Sequence, residues 1–338
     1  MYGALTFALK QELDKIDTAK EYSGNLPKIQ SKSGRSYFVK QGSPAEQEQY
    51  VGEAESLKAI QRAAPGLAPE VYAYGTLQDG KPYFISEYKN MGHLTTPAAK
   101  ELAKRLANEL HQLKSLHGFG FHVPTHCGPT RFENGWYPTW EKCYSAMYQH
   151  LISEIRRKGG KEHLCKVGDK VISQVIPRLL GHLVIQPVLL HGDLWSGNVG
   201  VDEATKKPVI YDPASFYGHN ESDLAIARIF GGFPQTFFDT YFENNPKTEP
   251  VDEFDLRAEL YEAFHYLNHT VIFGVSTITR LALNTVFTKF KGHYARHAET
   301  KLTGLLEAIE RLGPVKQGNG EDKEQAALFE APDPTKVN

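Results

Sequence analysis

His191 to Asn198 read HGDLWSGN, and Asp212 follows fourteen residues after Asn198, at the end of the strand-like run PVIYDP. An Asp and an Asn five apart, then a second Asp after a short hairpin, is the layout that phosphoryl transfer asks for. Asp193 is expected to accept or orient the proton of an attacking hydroxyl. Asn198 and Asp212 are hard oxygen donors and are expected to hold Mg2+ against the phosphates of ATP. A turn or N-cap aspartate would explain Asp193 alone, but not the Asn and the later Asp at this spacing.

Such a site also needs a cation on the phosphates. Lys40 ends the β-prone run SYFVK, and Glu53 on the following helical stretch is its expected partner, with Glu46, Glu48 and Glu55 as competitors. Adenine is expected against backbone groups of Glu87 and Tyr88. Asp223, in NESDLAIA, is read as an anchor accepting backbone hydrogen bonds from the HGD loop, against the plainer reading of a helix-start carboxylate. Residues 22–36 contain Gly24 and Gly34 but no GxGxxG, so an irregular lid over the phosphates is expected.

The elements that must carry these groups are legible by period. Glu46 to Arg62 reads as a helix stopped by Pro65, Gly66 and Pro69. VYAYGTL and PYFISEY flank Asp79-Gly80, a hairpin signal. Asn90 to Thr96 reads as a linker, with Thr96 as N-cap and Pro97 in the first turn of a helix carrying Leu102, Leu106 and Leu110. Residues 118–140 follow neither period and are expected to be a long irregular segment. Helices are expected over 139–157 and 168–180, and from beyond Asp212 to about Leu312, with 313–338 as a tail. The whole is α+β: a protein-kinase-like two-lobe fold, with a small β-rich nucleotide lobe (1–90) and a larger helical catalytic and substrate lobe (91–312).

Composition narrows the class. The 338 residues carry 38 Lys and Arg against 40 Asp and Glu, a net charge of −2 that speaks against a nucleic-acid or membrane-surface binder. Three cysteines without metal-ligand spacing suit a reducing compartment, and no run reaches the length of a membrane helix, so a cytoplasmic protein is expected. His265 and His269 lie four apart without HExxH or a third ligand, and are read as polar residues closing a pocket floor.

HGDLWSGNVG, DPASFYGHNESDLAIARIFGGF and YEAFHYLNH, together with GRSYFVK and GEAESLKAI, resemble the fructosamine-3-kinase/ketosamine-3-kinase family, whose fold is similar to the aminoglycoside phosphotransferases. The resemblance covers roughly residues 20–275. It implies ATP-dependent phosphorylation of the 3-hydroxyl of a ketosamine, on a glycated protein lysine or a small adduct, with later loss of the sugar. It carries the roles above onto Asp193, Asn198, Asp212, Lys40 and Glu53. Trp195, beside the base, and His219 and Trp136 are expected substrate contacts. The competing expectation is a kinase of the aminoglycoside-phosphotransferase type acting on another alcohol. The N-terminal lobe has no cysteine, so thiol control through a phosphate-loop Cys is not available here.

Overall fold

The computed structural model describes residues 4–159, 161–274 and 293–312. The chain opens with α1 (Phe7–Ile16), then β1 (Tyr22–Asn25), β2 (Lys28–Ser31), β3 (Ser36–Gln41), α2 (Gln47–Ala63), β4 (Val71–Thr76) and β5 (Pro82–Glu87). The five strands form an antiparallel sheet in the order β1-β2-β3-β5-β4. The alternation of a strand decides what each face sees. Tyr37 and Val39 of β3 and Tyr83 and Ile85 of β5 turn to one face, where Leu9 and Leu13 of α1 cover them. Phe38 and Phe84 turn to the other, together with Lys40, which stands opposite Phe84 in the ladder. The same period that buries Val39 therefore delivers Lys40 to the α2 face.

The expected irregular lid is a regular hairpin. β1 and β2 pair from Tyr22 opposite Ser31 to Asn25 opposite Lys28. Gly24 has φ +98°, and a Cβ there would lie 2.7 Å from the Lys28 carbonyl oxygen, so glycine is what lets the turn close.

The remainder is mainly helical. It comprises β6 (Met91–Gly92), α3 (Thr96–Asn108), β7 (Thr125–Cys127), β8 (Thr130–Phe132), α4 (Trp140–Lys158), α5 (Glu162–Lys170) and α6 (Ile176–Leu180). There follow β9 (Val188–Leu190), β10 (Val199–Asp202), β11 (Pro208–Ile210), β12 (Phe216–Gly218), α7 (Asn220–Asp223), α8 (Ala225–Ile229), α9 (Gln235–Asn244), α10 (Phe254–Phe273) and α11 (His293–Leu312). This is the two-lobe α+β fold the sequence leads one to expect, with β6 of the linker region pairing with β10.

Several local expectations shift. The cap of α3 is Thr95, whose hydroxyl accepts from the Ala98 amide, so Thr96 is already helical. The helix placed at 168–180 starts at Glu162 and passes through a π-helical stretch, Val171–Val175, before α6. The irregular segment holds the β7–β8 hairpin. Beyond Asp212 the chain first makes β12, paired with β9, before turning helical. Part of that helical expectation (275–292) and the tail (313–338) lie outside the described residues.

Candidate active site

Lys40 and Glu53 meet as expected. The Lys40 ammonium donates to both Glu53 oxygens, at 2.6 and 2.7 Å. Burial raises the Glu53 pKa and Asp212 adds to it, while Lys40 draws it the other way. The competitors are occupied elsewhere. Glu46 accepts from the Ser43 amide, Glu48 pairs with Arg131, and Glu55 takes Tyr74, Lys58 and His122.

Helix α2 is held where it can offer Glu53 by a close approach at Gly52. A Cβ there would lie 2.5 Å from the Pro124 carbonyl oxygen, in the segment leading into β7. Alanine favours a helix interior by about 1 kcal/mol over glycine, yet here it would push α2 off that segment and carry Glu53 with it. Gly52→Ala is expected to raise the KM for ATP about tenfold, about 1.4 kcal/mol of lost binding. Steady-state kinetics with varied ATP test this; an unchanged KM would mean that the contact does not set the position of α2.

The HGD loop joins β9 to β10 and is built on Asp223. Its carboxylate accepts from the His191 and Gly192 amides, each at 2.8 Å, and meets His111 Nε2 at 3.2 Å. Burial works against that charge, but these donors hold its pKa below the usual carboxylate value. The anchor reading of Asp223 thus has its hydrogen bonds. His191 Nε2 lies 3.1 Å from the Tyr211 carbonyl, which only accepts, so Nε2 carries the proton and Nδ1 accepts the Asp193 amide at 3.2 Å. One neutral imidazole thereby ties the loop to the residue before Asp212. Gly192, at φ +83°, has no room for a Cβ, which would lie 2.0 Å from the Ala214 carbonyl.

Asn198 donates from Nδ2 to the Asp193 carbonyl at 2.9 Å and to Asp193 Oδ2 at 3.2 Å, bonds in which its Oδ1 takes no part. Asp212 follows β11 with φ +52° and is exposed to the cleft. An amide oxygen and an exposed carboxylate suit a Mg2+ ion that takes its other ligands from phosphate and water. The described residues contain no group of three or more His, Cys, Asp or Glu placed to hold a metal.

Two cavities flank these residues. A cleft of about 420 Å³ between the lobes is lined by Phe38, Glu53, Phe84, Glu87, Tyr88 and Asp212. The Glu87 amide is spent on the Glu70 carbonyl and the Tyr88 amide reaches Ser36 O at 3.2 Å, so both amides have partners within the protein. The second cavity, about 270 Å³, is lined by Asp193, Cys127, Trp195, Phe230, His269 and Phe273, among others. Burial, with Asp212 and Asp223 adding, pushes the Asp193 carboxyl up to about 7, against hydrogen bonds from Cys127 and Asn198.

Trp195 lines this second cavity, folded over Gly197 and edge-on to Phe230. His219 does not. It is 1% exposed, and its ring nitrogens meet Tyr261 Oη at 2.7 Å and Thr248 Oγ1 at 2.8 Å. Burial pushes its pKa down to about 4, and it serves as a neutral core histidine. Trp136 is likewise absent from the lining of the second cavity; it packs on His117 and Tyr217 at ring distances of 5.3 and 6.2 Å. Its place at the end of the DPASFYGH run misplaces His219, because β12 and α7 turn it inward. His269 does line the cavity, its Nδ1 donating to the His265 carbonyl, while His265 is buried beside it. Phe230, Phe273 and Cys127 were not anticipated; apolar types at no telling spacing carry no signal of their own.

A family model described as fructosamine kinase matches residues 10–305, which extends the resemblance past Gly274. A ketosamine-3-kinase of Mus musculus is 36% identical over 261 residues, covering 70% of this chain and 82% of that protein. A chloroplastic protein-ribulosamine 3-kinase of Arabidopsis thaliana is 34% identical over 272 residues, covering 80% and 81%. Among solved structures, an aminoglycoside phosphotransferase in ternary complex with AMP-PNP and hygromycin B aligns with TM-score 0.57 at 15% identity, covering 89% of this chain and 99% of that one. That likeness speaks to the fold.

Proposed function

The chain belongs to the fructosamine kinase family, and from that premise we propose that it transfers the γ-phosphoryl group of ATP to the 3-hydroxyl of a ketosamine. Its acceptors are ribulosamine or fructosamine adducts, on protein lysines or on small amines, and the phosphorylated product is unstable, so that the sugar is eliminated and the amine restored. The relatives' names support this acceptor class. The observation that carries the reading onto this site is the position of Asp193. It stands in the wall of the apolar cavity, while Asp212 and Glu53, the partner of Lys40, line the interlobe cleft.

In this reading adenine enters the cleft beside Glu87 and Tyr88, and Lys40, steadied by Glu53, neutralises phosphate charge. Asn198 and Asp212 hold Mg2+, which when bound offsets the charge on the phosphates. The acceptor sugar lies against Trp195 with its hydroxyl toward Asp193, which takes the proton as the oxygen attacks phosphorus. Residues 1–90 then form the nucleotide lobe and 91–312 the substrate lobe. The described residues include no helix long and apolar enough to cross a membrane. Three free, buried thiols suit a reducing compartment, and we place the protein in the cytoplasm.

An acceptor panel tests the assignment. With ATP and Mg2+, ribulose-lysine and fructose-lysine should turn over, and aminoglycosides and simple amino alcohols should not. Turnover of another alcohol with none of either ketosamine would refute it.

A further inference from the structure

The cavity that holds Asp193 is poor in partners for a polyol. Its walls come from the HGD loop (Asp193, Trp195), from α8 and the residue after it (Ile226, Phe230) and from the end of α10 (Ile272, Phe273). Among the described residues no Lys, Arg, Glu, Asn or Gln lines it. Of the other polar side chains there, Cys127 takes the Asn268 amide on its sulfur at 3.1 Å, and His269 spends Nδ1 on the His265 carbonyl at 2.8 Å. The rest is hydrocarbon. Phe230 and Phe273 both pack on the His269 ring, at 4.8 and 5.7 Å, and Phe230 also meets Trp195 edge-on. Ile272 reaches the β7–β8 turn, its Cδ1 lying 3.2 Å from where a Cβ of Gly128 would stand. A hydroxyl buried against such a wall goes without a partner and weakens binding. A methylene buried there strengthens it.

A ketosamine carries both kinds of group. Its nitrogen sits on C1, two carbons from the C3 hydroxyl that must face Asp193, so the substituent on that nitrogen starts beside Asp193 and has this cavity to run into. We propose that Ile226, Phe230, Ile272 and Phe273 form a subsite for the alkyl arm of the adduct's amine, so that ketosamines are selected by the apolar length of the amine as well as by the sugar. The hydroxyl-bearing part of the sugar keeps to Asp193, with Trp195 against its face. Burial of the arm is the same before and during phosphoryl transfer, so the selectivity is carried by KM rather than kcat. The inference rests on the ketosamine reading of this site.

The test is a series of ribulosamines that share one sugar and differ in the amine: methylamine, propylamine and pentylamine. The adduct of 2-ethoxyethylamine, as long as the pentyl arm with an ether oxygen in place of one methylene, is the control for length. With the full chain, ATP and Mg2+, kcat/KM should rise about fourfold per added methylene (about 0.8 kcal/mol), through KM. The ether adduct should fall about fourfold or more below the pentyl one, having lost a methylene and gained a polar atom. Ile272→Thr, which keeps the β-branch and puts a hydroxyl in the wall, should lower the rise to about twofold per methylene. A flat series in the wild-type enzyme would overturn the subsite. So would an ether adduct as good as the pentyl one, or a slope that Ile272→Thr leaves unchanged. If that variant does not fold, the series and its ether control decide alone. Failure of the underlying reading looks different, since no ribulosamine in the series would then turn over at all.

Discussion

Asp193→Ala is expected to lower kcat by about three orders of magnitude while leaving ATP affinity near wild type. General bases contribute about 10²–10⁴ to rate, and a carboxyl raised to about 7 by burial is well matched to accept a proton near neutral pH. The spared affinity follows from placement. Asp193 borders the apolar cavity and is absent from the lining of the nucleotide cleft. Nor does the substitution release Asn198, because the 2.9 Å bond from its Nδ2 goes to the backbone carbonyl of residue 193, which alanine retains. Single-turnover kinetics with saturating ketosamine, alongside calorimetry of ATP binding, separate the two effects. A loss in kcat of less than tenfold would mean that some other group takes the proton.

Asp212→Asn is the sharper test of the metal assignment. Asp212 has a left-handed backbone, φ +52°, a conformation that asparagine adopts more readily than alanine, so the loop should survive and only the charge is lost. In the presence of Mg2+, ATP affinity is expected to fall about tenfold to a hundredfold, the usual scale for weakening a metal's surroundings. Without the metal the sign should differ. The wild-type carboxylate then faces the phosphates unscreened, so the asparagine protein should bind ATP at least as well. Removing this charge also relieves one of the influences that raise the Glu53 pKa, which favours the Lys40–Glu53 pair. Calorimetry with Mg2+ and with a chelator measures both arms; an equal loss in each would remove Asp212 from the metal site.

Much of this site is legible in one dimension because its parts are local. Lys40 reaches Glu53 by the two-residue period of β3, which turns Tyr37 and Val39 onto α1. Asp193 and Asn198 share one tight loop, and a hairpin returns the chain to Asp212, so spacing alone brings the three together. Glu53 could be singled out from Glu46, Glu48 and Glu55 only as the natural partner. The reason is tertiary: the other three point to Ser43, Arg131 and Tyr74.

The acceptor side reads poorly for the converse reason. Trp195 was within reach of a local argument, being two residues from Asp193, but His219 and Trp136 were not. Whether an aromatic lines a cavity or fills a core depends on which helix packs over it. Here Tyr261 of α10 takes His219 into the interior, while His269 and Phe273, two and three turns further along the same helix, wall the pocket. Cys127 and Asn268 meet across 141 residues, and no spacing in the sequence announces that contact. By itself the sequence determined the phosphate-handling half, since backbone geometry repeats over short spans and puts chemistry at predictable offsets. Only the tertiary structure decided what lines the cavity beside Asp193, because its walls come from the packing of α8, α10 and the β7–β8 hairpin, where side-chain shape and burial replace spacing as the governing terms.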